Sequence, residues 1–296
     1  MFQRAHLITN PKGGVGNNET LLAMTEEAFA RAGMKTVSHL TKAKGDAKKW
    51  AQHLDLSDHD ILCSIGGDGT IHEIINGIMH RQEKPLPKLG LIPGGTGNAF
   101  LTDFGLTDPN RAVQRILEGT PNPIDLMQVD HQDGTTFAFN IVAYGLFSSG
   151  NELAERIRWL GKRRYDLAGL IKILQRESYE GALFANGHKV FDKSLLFVIA
   201  NTRHSGEGML ISPNGSIRDG QMNLISIQEA NRRQLFQVFQ RLSSGTHLSL
   251  GVVNEKVASI FEFQGRGSLP LNIDGEQIGH PPFKVKTLPS ALEVIL

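Results

Sequence analysis

Three glycine-rich segments in the first third of the chain constrain its fold most strongly. They read NPKGG at residues 10–14, GGDGT at 66–70 and PGGTGN at 93–98, and each follows a short apolar run typical of a buried strand. Patterns typical of amphipathic helices separate these runs. The helix-like patterns cover residues 19–31, 46–54, 71–79 and 110–118, and a further strand-like run covers 36–40. Strands that alternate with helices predict an α/β fold with a parallel, doubly wound sheet.

The hydrophobic pattern changes to period two beyond residues 121–123, which read PNP. Period-two runs separated by turn residues predict an antiparallel, β-sandwich-like domain. The runs cover residues 136–141, 194–200, 221–227, 258–263 and 283–287, and helix-like inserts cover 151–176 and 232–243. We therefore expect a first domain at 1–124 and a second at 125–287, with residues 288–296 as a candidate strand that returns to the first.

The charge balance and the apolar runs exclude several classes of protein. The 296 residues include 31 basic and 30 acidic side chains, a net charge of +1, whereas a general nucleic-acid binder needs a strong basic excess. No run approaches the roughly 18 apolar residues of a transmembrane helix, and the N-terminus lacks the apolar core of a signal peptide. Cys63, the single cysteine, lies in an apolar run, so we expect a buried thiol in a reducing compartment. We expect a cytoplasmic protein whose membrane contact is peripheral.

The three glycine segments are suited to binding phosphate. Each lies where a strand of the predicted parallel sheet ends, and ligands of open α/β sheets bind at this edge. Glycine lets the backbone N–H groups approach a ligand closely, and such groups suit phosphate. The alternative is that the segments are only tight strand-to-helix turns. A Walker-type loop is absent, and the third glycine of the dinucleotide fingerprint is missing after Gly16.

Asp68 is the informative polar residue of these segments, because it lies between glycines just before a helix-like pattern. A carboxylate beside phosphates repels them unless it handles a cation or a proton. Asp68 is therefore a candidate to bind Mg²⁺, to activate a hydroxyl, or both. The alternative is a helix N-cap, a position that aspartate favours.

The motifs resemble those of a known family. The stretch GGDGTIHEIING at 66–77 resembles the nucleotide loop of the diacylglycerol kinase catalytic family, which includes sphingosine, ceramide and bacterial lipid kinases. Residues 10–14 and 93–98 match its other two loops, and IDGE at 273–276 matches its late Asp-Gly-Glu motif. GGDG alone also occurs in NAD kinases and phosphofructokinases. The resemblance implies an ATP-dependent kinase, using Mg²⁺, that phosphorylates a hydroxyl of a diacylglycerol-, ceramide- or sphingoid-type membrane lipid.

The same resemblance implies roles for individual residues. Two assignments of the proton acceptor compete, because Glu276 matches that of bacterial relatives and Asp68 matches that of sphingosine kinases. Our interpretation is that Asp68 deprotonates or orients the lipid hydroxyl, while Asp274 and Glu276 serve Mg²⁺ and nucleotide. A hairpin turn is the alternative for Asp274 and Gly275. The implied nucleotide-binding residues are Asn10, Pro11, Lys12, Gly13, Gly14, Thr41, Gly66, Gly67, Gly69, Thr70, Ile71, His72, Glu73, Thr96, Arg158, Arg164, Asp274 and Gly275.

Residues 216–221, which read SIRDGQ, also resemble bacterial members of the family. There a structural or regulatory Mg²⁺ is held by one aspartate and two backbone carbonyls. The matching residues are Asp219 for the carboxylate, with Ser216 and Gln221 for the carbonyls. Ligation by oxygen alone suits Mg²⁺.

The segment 145–181 bears on the choice of lipid. Its stretch RWLGKRRYD at 158–166 resembles the sphingosine and ceramide kinase branch, and Arg158 and Arg164 match arginines that reach the ATP phosphates there. A solvated helix face is the alternative for this basic segment. Sphingosine kinases pair an aspartate with the ammonium of the substrate, but the matching residue here is Asn151, which cannot neutralise an amine. A neutral lipid is therefore at least as compatible with this chain as a free sphingoid base.

The rival functions are a soluble-substrate kinase of the NAD kinase type and a catalytically silent module that binds lipid or nucleotide. The chain has all three acidic residues of the motifs, Asp68, Asp274 and Glu276, and this weighs against the silent module. We expect a lipid at a membrane surface as partner and no nucleic acid, and we leave a homodimer open.

Overall fold

A computed structural model describes residues 2–14, 17–145, 178–206 and 208–296 of the chain. The chain divides into two units, one formed by Met1–Leu126 with Pro289–Leu296 and the other by Met127–Leu288. None of the helices in the described ranges has both the length and the apolar character needed to cross a bilayer.

A parallel sheet forms the centre of the first unit. Its strands are β1 (Arg4–Thr9), β2 (Lys35–Leu40), β3 (Asp60–Gly66) and β4 (Lys88–Pro93), in the order β2-β1-β3-β4. The helices are α1 (Asn18–Arg31), α2 (Asp46–His53), α3 (Asp68–Met79), α4 (Ala99–Thr102) and α5 (Pro109–Glu118). Helix α1 contacts α5, and α2 contacts α3. This arrangement confirms the predicted doubly wound sheet.

One hydrophobic core lies on the face of the sheet that α1 and α5 cover, and every second residue of the strands contributes to it. Alternate residues such as Leu7, Ile61 and Cys63 pack with Phe29 of α1 and Ile116 of α5. Cys63 is fully buried, and burial raises the pKa of its thiol to about 12. The expectation of an inert core thiol is therefore confirmed.

The other face of the sheet holds a histidine pair next to α2. Nδ1 of His6 lies 3.1 Å from Nε2 of His39 on the neighbouring strand, and the ring of His39 lies against Trp50 of α2. Burial is the largest cause that lowers the pKa of both histidines. Asp60 lies beside this pair, with its Oδ2 3.9 Å from Nε2 of His6. Burial alone would raise the pKa of Asp60, but hydrogen bonds from Arg4 and Ser57 hold it at about 2.

The second unit consists mainly of antiparallel strands. They are β5 (Asn122–His131, which begins in the first unit), β6 (Gly134–Ala138), β7 (Ile141–Gly145), β8 (Tyr179–Ala185), β9 (His188–Ser194), β10 (Leu196–Ala200), β11 (Met222–Ile227), β12 (Asn254–Ala258), β13 (Ile260–Gly265), β14 (Asn272–Ile273), β15 (Glu276–Gln277) and β16 (Phe283–Ile295). Helix α6 (Arg232–Arg241) and a 3-10 helix (Thr246–Ser249) follow β11.

Two sheets enclose the core of this unit. One has the order β12-β11-β10-β7-β14-β15, and β13 pairs with β8 and β16 in the other. Phe197 and Val142 of the first sheet share one core with Phe261, Phe263 and Val285 of the second. The predicted β-sandwich-like domain is thereby confirmed.

The last strand, β16, belongs to both units. Its first half pairs antiparallel with β13, whereas Val294 and Ile295 pair in parallel with Leu89 and Gly90 of β4. The end of the chain therefore adds a fifth strand to the parallel sheet of the first unit.

Three details of the sequence-based predictions are wrong. The run 136–141 is not one strand, because β6 ends at Ala138 and β7 begins at Ile141. The run 258–263 is divided between β12 and β13. Helix α3 begins at Asp68 rather than at residue 71.

Candidate functional site

Backbone hydrogen bonds join the loops that follow the four parallel strands. In three of these loops, the first residue after the strand donates its backbone N–H to the end of the neighbouring strand. The loops therefore lie side by side at the carboxyl edge of the sheet. The bonds run from Thr41 N–H to the Thr9 carbonyl (2.9 Å), from Asn10 N–H to the Ile65 carbonyl (3.2 Å) and from Gly94 N–H to the Gly66 carbonyl (2.9 Å). The structure therefore brings the predicted segments 10–14, 66–70 and 93–98 together.

Glycine is required where these loops meet. A Cβ on Gly14 would overlap the carbonyl of Gly94, and one on Gly95 would overlap the backbone of Gly67. Gly14 also has a φ of +63°, a conformation that favours glycine. The loops therefore approach one another at backbone distance, and a ligand at this edge meets mostly main-chain groups.

The amino terminus of α3 lies at the same edge. Its N-cap is Gly67, which has no side chain to cap the first turn. The first N–H groups of a helix lack partners within the helix, and together with the helix dipole they favour an anion. The side chains of Ile71 and His72 are buried, so any nucleotide contact at these positions would come from their backbone.

Glu73 ties α3 to the loop after β2. Its Oε1 accepts the N–H of Gly45 at 2.8 Å. This bond fixes the loop that contains Thr41 relative to the glycine segments. Lys12 and Thr96 are exposed at the tips of their loops.

Asp68 contacts the neighbouring loop through both carboxylate oxygens. Oδ2 accepts the N–H of Ala99 at 3.0 Å, and Oδ1 accepts the N–H of Phe100 at 3.4 Å. These two residues begin α4. Asp68 therefore caps α4 rather than its own helix, and it holds the segment 93–98 against α3.

In the second unit, Asp274 and Gly275 form a hairpin turn between β14 and β15. Their φ values are +53° and +94°, as a two-residue type I′ turn requires. The Asp274 side chain is buried, with 7% exposure, and it accepts three backbone N–H groups. The distances are 3.2 Å from Phe139, 2.9 Å from Asn140 and 3.0 Å from Ile141. These bonds explain why strands β6 and β7 are interrupted at residues 139 and 140.

The hairpin also fixes the backbone of Glu276. Ile273 and Glu276 are paired across the turn, and Asn272 accepts the N–H of Gly275 at 2.9 Å. Ile273 in turn pairs with Val142 of β7. The Glu276 side chain is partly exposed, in contrast to that of Asp274.

A buried polar network also holds residues 139 and 140, where the strand is interrupted between β6 and β7. This network was not predicted from the sequence. The hydroxyl of Thr202 donates to Oδ1 of Asn140. Asn201 donates through its side chain to the Phe139 carbonyl at 3.1 Å and through its N–H to the Asn140 carbonyl at 2.9 Å. The available signal was an asparagine inside each of two apolar runs, at Asn140 and Asn201.

The loop at residues 216–221 precedes β11 and is mostly exposed. Oδ1 of Asp219 accepts the N–H of Gln221 at 3.0 Å, and Oγ of Ser216 accepts the N–H of Arg218 at 3.4 Å. The carboxylate keeps acceptor capacity for a cation. Among the described residues, no three or more His, Cys, Asp or Glu side chains converge as a metal site, so a cation here would depend on this one carboxylate and on carbonyls.

Two family models together match most of the chain. The diacylglycerol kinase catalytic domain matches residues 4–129, and the YegS C-terminal NAD kinase beta sandwich-like domain matches residues 140–296. The chain belongs to the diacylglycerol kinase catalytic family. It is an enzyme of the lipid kinase class, and the family expected from the four motifs is confirmed.

Relatives and solved structures match this lipid kinase along its whole length. It is 28% identical to a diacylglycerol kinase of Bacillus subtilis (strain 168), over 100% of this chain and 97% of that protein. It is also 28% identical to a diacylglycerol kinase of Staphylococcus carnosus (strain TM300), over 99% of this chain and 95% of that protein. A crystal structure of a diacylglycerol kinase from Bacillus anthracis str. Sterne has the same fold, with a TM-score of 0.78 and 24% identity over 99% of this chain and 97% of the other.

Three predicted residues of the lipid kinase lie outside the described ranges. They are Asn151, Arg158 and Arg164, between residues 145 and 178. The remaining predicted residues fall into two groups, one at the carboxyl edge of the parallel sheet and one in the second unit. Those in the second unit are Asp274, Gly275 and Glu276 on the hairpin and Ser216, Asp219 and Gln221 on the loop before β11.

Proposed function

We propose that this lipid kinase transfers the γ-phosphoryl group of ATP to the hydroxyl of a neutral, diacylglycerol-type membrane lipid. The observation that carries the proposal is the carboxyl edge of the first unit, where three glycine loops meet at backbone distance beside the first turn of α3, whose N-cap is a glycine. Backbone N–H groups and a helix terminus suit the phosphates of a nucleotide. Both relatives described above are named diacylglycerol kinase, which supports the lipid acceptor.

We propose Glu276 as the proton acceptor, because it matches that of bacterial relatives and the two diacylglycerol kinases described above are bacterial. Asp274 has its oxygens bonded to three backbone N–H groups, and those of Asp68 cap α4. The carboxylate of Glu276 would take the proton of the lipid hydroxyl. The lipid oxygen would then form a bond to the γ-phosphorus while the bond to the bridging oxygen breaks and ADP leaves.

We further propose that Asp68 contacts Mg²⁺. Asp68 is only half-buried and lies at the edge where the glycine loops meet, whereas the side chain of Asp274 is buried, with 7% exposure. Mg²⁺ usually binds through one or two carboxylates and the phosphates of the substrate. When bound, it would neutralise charge on the transferred phosphoryl group. That Asp274 serves Mg²⁺ stays a prediction, which its replacement by asparagine tests.

The proposed substrate preference rests on Asn151, whose neutral side chain can bond a hydroxyl but cannot pair with an ammonium. Neutral lipids such as diacylglycerol, monoacylglycerol and ceramide are the candidates. Because such acceptors reside in membranes, the proposal includes peripheral association with a bilayer.

The proposal is tested with a set of acceptors. The protein is incubated with labelled ATP and Mg²⁺ and with separate micelles of diacylglycerol, monoacylglycerol, ceramide and sphingosine, and with NAD in solution. We expect phosphorylation of diacylglycerol in excess of sphingosine. Phosphorylation of NAD without any lipid product would contradict the proposal.

The proton acceptor is tested by comparing Glu276→Gln with Asp68→Asn. Loss of a general base lowers turnover by roughly 10²–10⁴-fold, and we expect this loss for Glu276→Gln. Glu180→Gln, at an exposed position of the same unit, is the matched control and should retain full activity. If the turnover of Glu276→Gln stays within a few-fold of wild type while that of Asp68→Asn falls strongly, Asp68 is the proton acceptor instead.

A further inference from the structure

Four lysines surround the start of α2. They are Lys42 and Lys44 in the loop after β2, and Lys48 and Lys49 in the first turn of the helix. Lys42, Lys44 and Lys49 are exposed and Lys48 is half-buried. Because the whole chain has a net charge of only +1, this is a strong local concentration of positive charge.

The two carboxylates beside these lysines are bonded to the loop backbone. Oδ2 of Asp46 accepts the N–H groups of Lys42 and Ala43, both at 2.9 Å, and these bonds lower the pKa of Asp46. Glu73 accepts the N–H of Gly45 at 2.8 Å. Four lysines therefore lie beside two acidic residues, and the surface carries more basic than acidic side chains.

Apolar side chains are exposed next to the lysines. Trp50 follows Lys49 on α2 and is 41% exposed; Leu40, the last residue of β2, is 45% exposed; and Val37, on the same face of β2 as His39, is 39% exposed. Strand β2 is the outermost strand of the parallel part of the sheet, so its outer edge is uncovered within the described residues. Tryptophan favours the interface between membrane and water, and lysine is attracted to anionic lipid.

We propose that this surface, formed by Val37, Leu40, Lys42, Lys44, Lys48, Lys49 and Trp50 and called the basic-aromatic edge, docks on an anionic lipid bilayer. The inference rests on the proposed function, because it gives that function its membrane contact. The loop that carries Lys42 and Lys44 begins at Thr41, at the same edge as the glycine loops. Docking there would bring the phosphate-binding edge of the first unit close to the lipid surface.

The first experiment measures sedimentation with vesicles of phosphatidylcholine, with and without phosphatidylglycerol, in the absence of ATP. Each lysine near an anionic surface contributes about a 5-fold factor in binding. Replacing all four lysines of the edge by glutamine should therefore weaken binding to anionic vesicles by a factor on the order of 100 or more. The matched control replaces four exposed lysines of the second unit, Lys189, Lys193, Lys256 and Lys284, and should bind nearly as wild type.

The second experiment uses the fluorescence of Trp50. The chain contains two tryptophans, so Trp159→Phe leaves Trp50 as the sole emitter. We expect a blue shift on addition of anionic vesicles and quenching by lipids brominated on their acyl chains. Trp50→Ala should weaken vesicle binding, whereas Phe236→Ala, at a residue that is 43% exposed on α6, should not. No quenching of Trp50, or a larger loss with Phe236→Ala, would overturn the inference.

Kinase activity in micelles of neutral detergent separates this inference from the proposed function. Vesicle binding that depends on the four lysines supports the inference even when no lipid is phosphorylated in micelles, in which case the proposed function alone fails. If the wild-type enzyme is active in micelles but the four-lysine variant binds vesicles as strongly as the wild type does, the inference alone is overturned. A raised KM for ATP in that variant, with unchanged vesicle binding, would assign the lysines to the nucleotide and also overturn it.

Discussion

Replacing Asp274 by asparagine tests whether this residue holds the structure or binds Mg²⁺. Asparagine tolerates the positive φ of +53° at this position about as well as aspartate does, so the turn itself is preserved. Its oxygen can keep the two bonds to Asn140 and Ile141, but its amide group then faces the N–H of Phe139. Two donors in contact leave one buried N–H without an acceptor.

The expected loss of stability follows from these contacts. One hydrogen bond to a charged acceptor is lost, at about 1.5–3 kcal/mol, and the two that remain become neutral and weaken by roughly half. We therefore expect a total loss of about 3–6 kcal/mol. For a unit of this size each kcal/mol corresponds to about 2–4 °C in Tm. Asp219→Asn, at an exposed aspartate of the same unit that accepts one backbone N–H, is the control and should lose well under about 1 kcal/mol.

The assay is urea unfolding in the presence of EDTA and without nucleotide, so that no metal contributes. Hydrogen exchange of the peptide that contains residues 139–141 should also become faster in the Asp274→Asn variant. Because Glu276 lies on the same hairpin, turnover should fall as well. A variant with wild-type stability in EDTA but an altered Mg²⁺ dependence would refute the structural role and show that Asp274 binds metal.

Three further variants test other parts of the account. Gly95→Ala forces a methyl group against the backbone of the neighbouring loop, so it should cost about 1–3 kcal/mol and raise the KM for ATP, whereas Gly251→Ala, at an open position, should change neither. Because burial lowers the pKa of His6 and His39, the unfolded chain takes up protons first, and stability should fall as the pH drops below about 6.5, by at most about 1.4 kcal/mol per pH unit for each histidine. His6→Gln should reduce this slope in urea unfolding at several pH values, and an unchanged slope would contradict the assignment. Asn151→Asp should raise kcat/KM for sphingosine relative to diacylglycerol by roughly 5- to 150-fold, and an unchanged ratio would show that residue 151 does not face the head group.

The first unit was largely predictable because its signals are local. Each glycine segment follows a short apolar run and precedes a helical pattern, so the order of strands and helices can be read along the chain. The contact of Asp68 with Ala99 was not predictable, since it joins residues 31 positions apart. The four-residue helix α4 is also too short to show a period.

The second unit was predicted as a class of fold but not in detail. The run at 136–141 alternates as one strand would, and only the carboxylate of Asp274, more than 130 residues away, reveals why it is interrupted. Strand β16 joins the predicted run at 283–287 and the candidate returning strand at 288–296 into one element. Pro289 within it weakens any strand prediction, and Ser290 is held by Asp125, its N–H donating to Oδ1 at 2.8 Å.

The most direct test of the proposed activity measures two products in one reaction. Wild-type protein is mixed with ATP, Mg²⁺ and diacylglycerol in mixed micelles, and ADP and phosphorylated lipid are quantified over time. The account predicts that both products form at equal rates, that omission of the lipid removes most of the ADP, and that Glu276→Gln suppresses both. Release of ADP without phosphorylated lipid, or no lipid-dependent ADP release at all, would contradict it.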